Sequence, residues 1–366
     1  VAEVEAKFKP FSKEDLPTMS SKARVAVIGT GWWATSVHIP GLQNNPDAEL
    51  VALCDNDPHK LQAAAEAAGI NRTHADYRAL LAGETLDGVV VVSANATHYQ
   101  IVKACLAQDL HVMVEKPMTL FAPEAKELVE LAQDRQRELI VGYPFNYTPL
   151  AIWLRDLVQS GQLGRVQYVN CIYNSYMTPF FTGSLQMDFA VHGPAQYTRP
   201  EQSGGGHGHV QITHAAGYMF FITGLSPRRV HALAANHGLP VELIQVMTVE
   251  FEGGAIGSVN GSGNWNGLKF SLQIGCERGW VDINPRDEVA TIRREAEPPE
   301  EIKPDPEAEP AYPQYATANN LVEVILGRAE NGSPAEVGWR AVELLDAAYR
   351  STTLDGQAVS IKALYA

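Results

Sequence analysis

Gly29-Thr30-Gly31-Trp32-Trp33-Ala34 forms a G-x-G-x-x-A turn directly behind the apolar run Val25-Ala26-Val27-Ile28. A second apolar run, Leu50-Val51-Ala52-Leu53-Cys54, ends in Asp55. Each residue type has a task at its place. Gly29 permits a tight turn, Gly31 lets backbone come close to a pyrophosphate, and Ala34 keeps the next helix near the strand. The first N–H groups of that helix face an anion unpaired. Asp55 can accept from two ribose hydroxyls, and its charge repels a 2′-phosphate, so the pattern points to NAD in preference to NADP. The glycine turn alone is a weak signal; the strand before it and the acid ending the next strand make it a dinucleotide-binding βαβ unit. Trp32 and Trp33 are candidates to pack on the cofactor or on a substrate, and either could instead serve core or interface.

Glu115-Lys116-Pro117 follows the run His111-Val112-Met113-Val114. In a doubly wound sheet ligands lie at the carboxyl ends of the strands, which places Lys116 beside the nicotinamide end of a dinucleotide. Desolvation disfavours an ammonium, so a partly buried lysine there can exchange an alcohol proton while hydride moves. A surface lysine paired with Glu115 is the plain alternative. The second dense region is Ser203-Gly204-Gly205-Gly206-His207-Gly208-His209-Val210-Gln211-Ile212-Thr213-His214. Its glycines allow backbone to approach a ligand or to turn sharply into a helix. With a helix starting near 207, His207, Gln211 and His214 share one face. A histidine there can shuttle a proton or orient a hydroxyl, while His207 and His209 could equally cap and pack. The cluster holds no carboxylate, and no metal is expected.

These motifs need elements to carry them. Residues 23–142 alternate short apolar runs with helical stretches, as in a doubly wound parallel sheet. Strands are expected at 25–29, 49–54, 87–92, 111–114 and 139–141, and helices at 58–68, 97–108 and 122–136. Past 145 the rhythm changes to a helix at 149–160 and strand-like stretches at 165–174, 229–236, 241–251, 254–262, 268–275 and 279–283. Alternating polarity and turns such as Glu252-Gly253-Gly254 suggest a largely antiparallel sheet. Helices are expected at 208–223, 315–327 and 335–351. A chain of 366 residues is long for one core, and three segments are expected. They are a leader or flexible arm at 1–22, a dinucleotide-binding domain at 23–145, and a substrate-binding and oligomerisation domain at 146–366. The stretch from Glu295 to Glu309 is rich in acids and proline and reads as an exposed loop.

Composition narrows the partners. A net charge of −14 argues against nucleic acid and anionic membranes, both of which need basic patches. Cys54, Cys105, Cys171 and Cys276 show no metal-ligand spacing and fit a reducing compartment. No apolar run is long enough to span a membrane, and the polar first residues lack a signal-peptide core. A cytoplasmic protein is expected.

Together these residues resemble the Gfo/Idh/MocA oxidoreductases, the family of glucose–fructose oxidoreductase and inositol dehydrogenase, from about Ala23 to Ile361. Gly29, Gly31, His38 and Leu42 match the glycine turn and the histidine after it. Asn95, His98, His111-Val112, Glu115, Lys116 and Pro117 match the pattern around the third and fourth strands. Gly204 to Gly206 with His214 match the glycine triplet and helix histidine, and Ala341 to Ser351 with Gly356 match the end helix and its tail. The resemblance implies an N-terminal Rossmann domain and a C-terminal α/β domain. The latter's large, mainly antiparallel open sheet covers the active site and often forms the contact of a homodimer or homotetramer. It implies Asn95, His98 and Glu115 beside the cofactor, Lys116 as the acid–base residue, and His214 as a second catalytic or substrate-orienting group. Substrates in the family are sugars, sugar derivatives and cyclitols.

Two departures stand out. Val210 occupies the place of the family's usual aspartate, so Gln211 or His207 would have to supply its hydrogen bond. Tyr143-Pro144-Phe145-Asn146-Tyr147 replaces a segment that often carries an arginine. Tyr143, Tyr147 and Trp265 are therefore candidate walls for the C–H faces of a sugar, each with packing as its alternative. Arg199 could reach a hydroxyl or carboxylate, with a solvated loop arginine as the equal alternative. The expected function is an NAD-dependent dehydrogenase of a secondary alcohol in a sugar, glycoside or cyclitol. Behind it stand redox-neutral carbohydrate chemistry on tightly held NAD and a non-catalytic dinucleotide sensor.

Overall fold

The computed structural model describes residues 22–184, 197, 199–303 and 312–366. The expected leader, up to residue 21, and the end of the acidic stretch lie outside the described residues.

Short runs that are apolar at every position need cover on both faces, and they form a parallel sheet. Its strands are β1 (Ala23–Ile28), β2 (Ala48–Cys54), β3 (Thr73–His74), β4 (Gly88–Val91), β5 (His111–Val114) and β6 (Leu139–Val141). The order is β3-β2-β1-β4-β5-β6. It reverses between β1 and β4, and a crevice opens there at the carboxyl ends of the strands. The glycine turn behind β1 and Glu115-Lys116 behind β5 both exit into that crevice. Gly29 sits at φ +97°, and a Cβ there would lie 2.5 Å from the Val92 carbonyl oxygen. Local signals bound the helices as well. Asp57 caps Pro58–Ala68 by accepting from the N–H groups of His59 and Lys60, and left-handed Gly69 ends it.

The second sheet contains β7 (Val166–Tyr176), β8 (Pro227–Ala235), β9 (Ile244–Phe251), β10 (Ile256–Ser262), β11 (Asn264–Cys276), β12 (Gly279–Asn284), β13 (Val289–Arg294), β14 (Glu300–Ile302) and β15 (Val359–Ser360). Its order is β14-β13-β12-β11-β7-β10-β9-β8-β15. All its pairs are antiparallel except β7 with β10. Buried and exposed positions alternate along β9, as expected of a sheet with one wet face. β13 was not anticipated, and β14 lies inside the stretch read as an acidic loop. As the edge strand of the sheet, β14 tolerates charge because only one of its sides pairs, which masks it in a hydrophobicity pattern. Helix Thr213–Thr223 is buried at every position, which is why it is apolar all round.

The chain does not stay with the second sheet. Helix Ala316–Ile325 returns to the first one, burying Ala318, Leu321 and Val322 among Val25, Val27, Val90, Met113 and Ile140. It covers strands that would otherwise be wet on one face. Truncating Leu321, which is fully buried, to alanine should cost about 3 kcal/mol of unfolding free energy in a urea titration. A loss below about 1 kcal/mol would show that this helix contributes little to the first core.

Candidate active site

The glycine turn leads into a helix with a π-turn at Ala34–His38 ahead of Ile39–Asn44. Nothing lies within 4 Å of where a Cβ on Gly31 would sit, so the backbone there is open to a ligand. Beside it, Asp55 Oδ2 accepts from the Thr30 backbone N–H at 2.7 Å and from Thr30 Oγ1 at 3.1 Å. Asp55 Oδ1 accepts from the N–H of Asp57 at 2.9 Å. The carboxylate is thus fixed next to the turn. An open turn, a helix start and a held carboxylate fit the adenosine and pyrophosphate of a dinucleotide.

Behind β5, Glu115 is the most constrained charge in the crevice. Its Oε1 accepts from Trp33 Nε1 at 2.9 Å and lies 2.8 Å from His38 Nε2. Its Oε2 accepts from the Lys116 N–H at 3.2 Å. Burial pushes the carboxyl upward, but the His38 hydrogen bond and the neighbouring His38, Lys116 and His214 outweigh it and hold the group at about 2. A Cβ on Gly142 would lie 2.9 Å from the carboxyl, so only glycine leaves room. His98 is fully buried and spans two loops, with Nδ1 2.8 Å from the Pro117 carbonyl and Nε2 3.0 Å from that of Ser93. Burial lowers its pKa despite both contacts. His98 therefore braces the loops behind β4 and β5. Asn95 Nδ2 donates to the Ser203 carbonyl at 3.0 Å and ties the crevice to the glycine triplet.

The Lys116 amine crosses to the second unit, where Nζ donates to the Val210 carbonyl at 3.0 Å. Burial lowers its pKa, and the charge of Glu115 opposes that fall in part. Val210 belongs to a second π-turn, Gly208–Ile212. Such turns depart from the α-helical ladder and leave carbonyls free to bond elsewhere. A peptide carbonyl thus stands where Gln211 or His207 was expected to act. Gln211 Nε2 instead contacts Met177 Sδ at 3.2 Å, and His207 Nε2 lies 3.1 Å from the Tyr173 carbonyl. His214 stacks on Tyr173, with ring centroids 6.1 Å apart. Burial, then the charge of Lys116, push its pKa down to about 3, so the imidazole is neutral near pH 7. Its Nδ1 has no hydrogen-bond partner.

The glycine triplet serves packing. A Cβ on Gly205 would lie 2.2 Å from the Tyr349 hydroxyl, and one on Gly206 2.0 Å from the Glu242 carbonyl oxygen. The Glu242 carboxylate accepts from the N–H groups of Gly206 at 2.7 Å and Gly208 at 2.9 Å, and from the Tyr349 hydroxyl at 2.6 Å. It supplies the cap that this helix start needs. Nothing near 207 in the sequence announces it.

Two of the expected wall residues, Tyr143 and Tyr147, are engaged in packing contacts. Tyr143 is buried behind His214, its hydroxyl 2.9 Å from Thr213 Oγ1. Tyr147 donates to Asn320 Oδ1 at 3.0 Å on the returning helix. Packing, the alternative weighed for both, describes these contacts. Trp265 is exposed at the start of β11. Arg199 is exposed, and its carbonyl accepts from the N–H groups of Gln202 and Ser203. Trp33 faces Glu115, whereas Trp32 reaches across to Phe180, with centroids 6.3 Å apart. His38, Tyr173, Glu242 and Gly142 are the residues that sequence reasoning gave no role. Only His38 had a signal, as a match to the family pattern. Among the described residues, no group of three or more His, Cys, Asp or Glu is placed to hold a metal, and no helix is long and apolar enough to cross a membrane.

Two family models match the chain. One, an oxidoreductase family with an NAD-binding Rossmann fold, covers residues 23–143, and the other, the GFO/IDH/MocA C-terminal domain, covers residues 152–282. An uncharacterised oxidoreductase of Synechocystis sp. is 32% identical over 152 residues, 42% of this chain and 41% of that protein. The D-glucoside 3-dehydrogenase of Escherichia coli K12 is 32% identical over 187 residues, 51% of this chain and 50% of the enzyme. The chain thus spans half or less of the length of these curated relatives. The crystal structure of an oxidoreductase domain protein from Kribbella flavida superposes with a TM-score of 0.80 at 20% identity, covering 93% of this chain and all of the other. At that identity the likeness is one of fold.

Gly142→Ala should push the Glu115 carboxylate away from Trp33, to be read as a change in tryptophan emission together with a loss of about 1–3 kcal/mol in stability. The buried histidines set a pH dependence. His207, His209 and His214 sit at about 4, 4 and 3 against an ordinary 6.5, in each case chiefly through burial. Between those values the unfolded chain binds more protons than the folded one, so stability is retained above pH 6.5 and falls as the pH drops towards 4. The urea midpoint should be lower near pH 5 than near pH 7.5.

Proposed function

The chain belongs to the Gfo/Idh/MocA oxidoreductase family, and from that premise we propose that it is an NAD-dependent dehydrogenase of a secondary alcohol in a sugar, glycoside or cyclitol. One observation carries the reading. The Lys116 amine, behind β5, reaches across to the Val210 carbonyl at 3.0 Å in the turn that leads into the helix bearing His214, and its charge acts on that buried imidazole. The named activity of the glucoside dehydrogenase relative supports the substrate class.

The chemistry that NAD supplies when bound is the acceptance or return of a hydride at the nicotinamide. In this proposal Gly29, Gly31 and the helix start hold the pyrophosphate, with Trp32 and Trp33 beside them, and Asp55 takes the ribose hydroxyls and disfavours NADP. Asn95, His98 and Glu115 shape the nicotinamide end. Lys116 removes the hydroxyl proton as the C–H bond gives up its hydride, and His214 accepts a hydrogen bond that orients the hydroxyl. Gln211, with Arg199 and Trp265 at the rim, meets the remaining substrate. Residues 23–145 serve the cofactor and 146–366 the substrate, except that helix Ala316–Ile325 completes the first core. A homodimer or homotetramer in the cytoplasm is part of the same proposal; the described cysteines are all free.

A second reading, redox-neutral sugar chemistry on retained NAD, draws support from one feature. Lys116 faces a neutral carbonyl rather than a carboxylate, so its proton route differs from the family's usual one. NAD released from the denatured protein, with turnover but no net NADH, would favour it.

Following the reduced-nicotinamide absorbance while sugars, glycosides and cyclitols are screened with NAD or NADP should identify a substrate. With that substrate, Lys116→Met should lower kcat by at least about 100-fold while NAD still binds; near-normal turnover would defeat the assignment. Asp55→Asn should shift the ratio of kcat/KM for NAD over NADP towards NADP.

A further inference from the structure

We infer that Trp32 and Phe180 form an aromatic subsite beside the crevice that takes the apolar aglycone of a glycoside. The substrate class narrows accordingly, from sugars and cyclitols in general to sugars that carry an apolar group on the anomeric oxygen. The inference rests on the dehydrogenase reading proposed above.

Trp32 and Trp33 stand apart from the cores. Both are half-buried, and among the described residues neither packs against any of the three hydrophobic clusters. Their rings meet each other with centroids 5.3 Å apart, and Trp32 meets Phe180 of the second unit at 6.3 Å. Phe180 lies in the short helix Thr178–Thr182, half-buried, with Tyr197 at 6.0 Å behind it. Its neighbour Phe181 is buried among Met177, Val210, Val241 and Leu243, whereas Phe180 stays at the edge of that cluster. One phenylalanine thus fills a core, and the next faces an indole that no core claims. Aromatic faces left partly wet favour an apolar group laid against them.

Both ends of this aromatic bridge are tied to the neighbours of Lys116. On the first unit, Trp33 Nε1 donates at 2.9 Å to Glu115, the residue before Lys116. On the second, Met177 precedes the helix of Phe180, and its Sδ accepts from Gln211 Nε2 at 3.2 Å. Gln211 follows Val210, whose carbonyl receives Lys116 Nζ at 3.0 Å. A ligand whose hydroxyl reaches Lys116 therefore lies next to Trp32 and Phe180.

The two places differ in what they offer. Around Lys116 stand an amine, a peptide carbonyl and the unpartnered Nδ1 of His214, which suit hydroxyls. Trp32 and Phe180 offer ring faces, and a hydroxyl pressed against them loses its hydrogen bonds to water without replacement. A cyclitol or a free sugar carries hydroxyls all round its ring. A glycoside with an apolar aglycone has one hydroxylated part and one without hydroxyls, and so matches both places.

The test is isothermal titration calorimetry on the full-length protein loaded with NADH, so that the alcohol cannot be oxidised during the measurement. The probes are the phenyl and methyl β-D-glucopyranosides and β-D-xylopyranosides, cellobiose and myo-inositol. For at least one sugar the phenyl glycoside should bind about 10-fold or more tighter than the methyl glycoside. Phe180 is the residue to change, because Trp32 also stands beside the pyrophosphate turn. Phe180→Ala should cut that ratio by about 3-fold or more, while Phe180→Tyr, which keeps a ring, should preserve it. Phe180→Leu provides the same comparison should the alanine variant fail to fold. Equal affinity for phenyl and methyl glycosides overturns the inference, and so does a phenyl preference that survives the loss of the ring. A preference confined to cellobiose, a Phe180→Ala effect confined to NADH affinity, or no binding of any glycoside also overturns it. The functional reading fails separately, if Lys116→Met stays active on the substrate; net NADH from free sugars or cyclitols without any phenyl preference leaves that reading standing and removes only this inference.

Discussion

The buried carboxylate of Glu115 is the constraint around which the crevice is organised. A charge in the interior must be met by donors on its own oxygens, because water cannot serve it there. Trp33 and His38 provide them from the helix behind the glycine turn, and the Lys116 backbone adds a third. This one need links segments far apart in the chain. It sets the phase of the π-turn that brings His38 inward, and it forbids a side chain at Gly142. It also holds the loop behind β5 in register with the turn behind β1, the pair of loops between which a dinucleotide would lie.

The second unit meets this crevice with backbone as much as with side chains. The π-turn at Gly208–Ile212 presents the Val210 carbonyl to the lysine. That turn starts where it does because Glu242 satisfies the N–H groups of Gly206 and Gly208, and because Gly204 packs against Leu120, Gly205 against Tyr349 and Gly206 against Glu242. The glycine triplet is therefore a packing solution that orients the helix bearing His214. A dipole replaces a charge beside the lysine, which makes burial the main influence on its protonation.

Much of the architecture was legible because it depends on local order. Asp57 and Gly69 bracket one helix by capping chemistry. Continuous apolar runs such as Val89-Val90-Val91, β-branched at every position, suit strands covered on both faces. The turn from Gly29 to Ala34 declares itself by spacing. The edge strand β14 escaped because pairing on one side tolerates charge, and the packing partner of helix Ala316–Ile325 escaped because amphipathic periodicity names a buried face without naming what covers it.

The sequence by itself determined the parallel sheet, the dinucleotide turn, and the presence of Lys116 and His214 in two motif-bearing segments, since each follows from residues within a few positions of one another. Tertiary structure alone decided which groups face those two. It gave Lys116 the carbonyl of Val210 and not Gln211 or His207, gave Glu115 the ring of His38, and turned Tyr143 and Tyr147 towards Thr213 and Asn320. Those partners are set by how two sheets and a π-turn pack in space, and that information is spread over residues whose positions in the chain carry no mark of it.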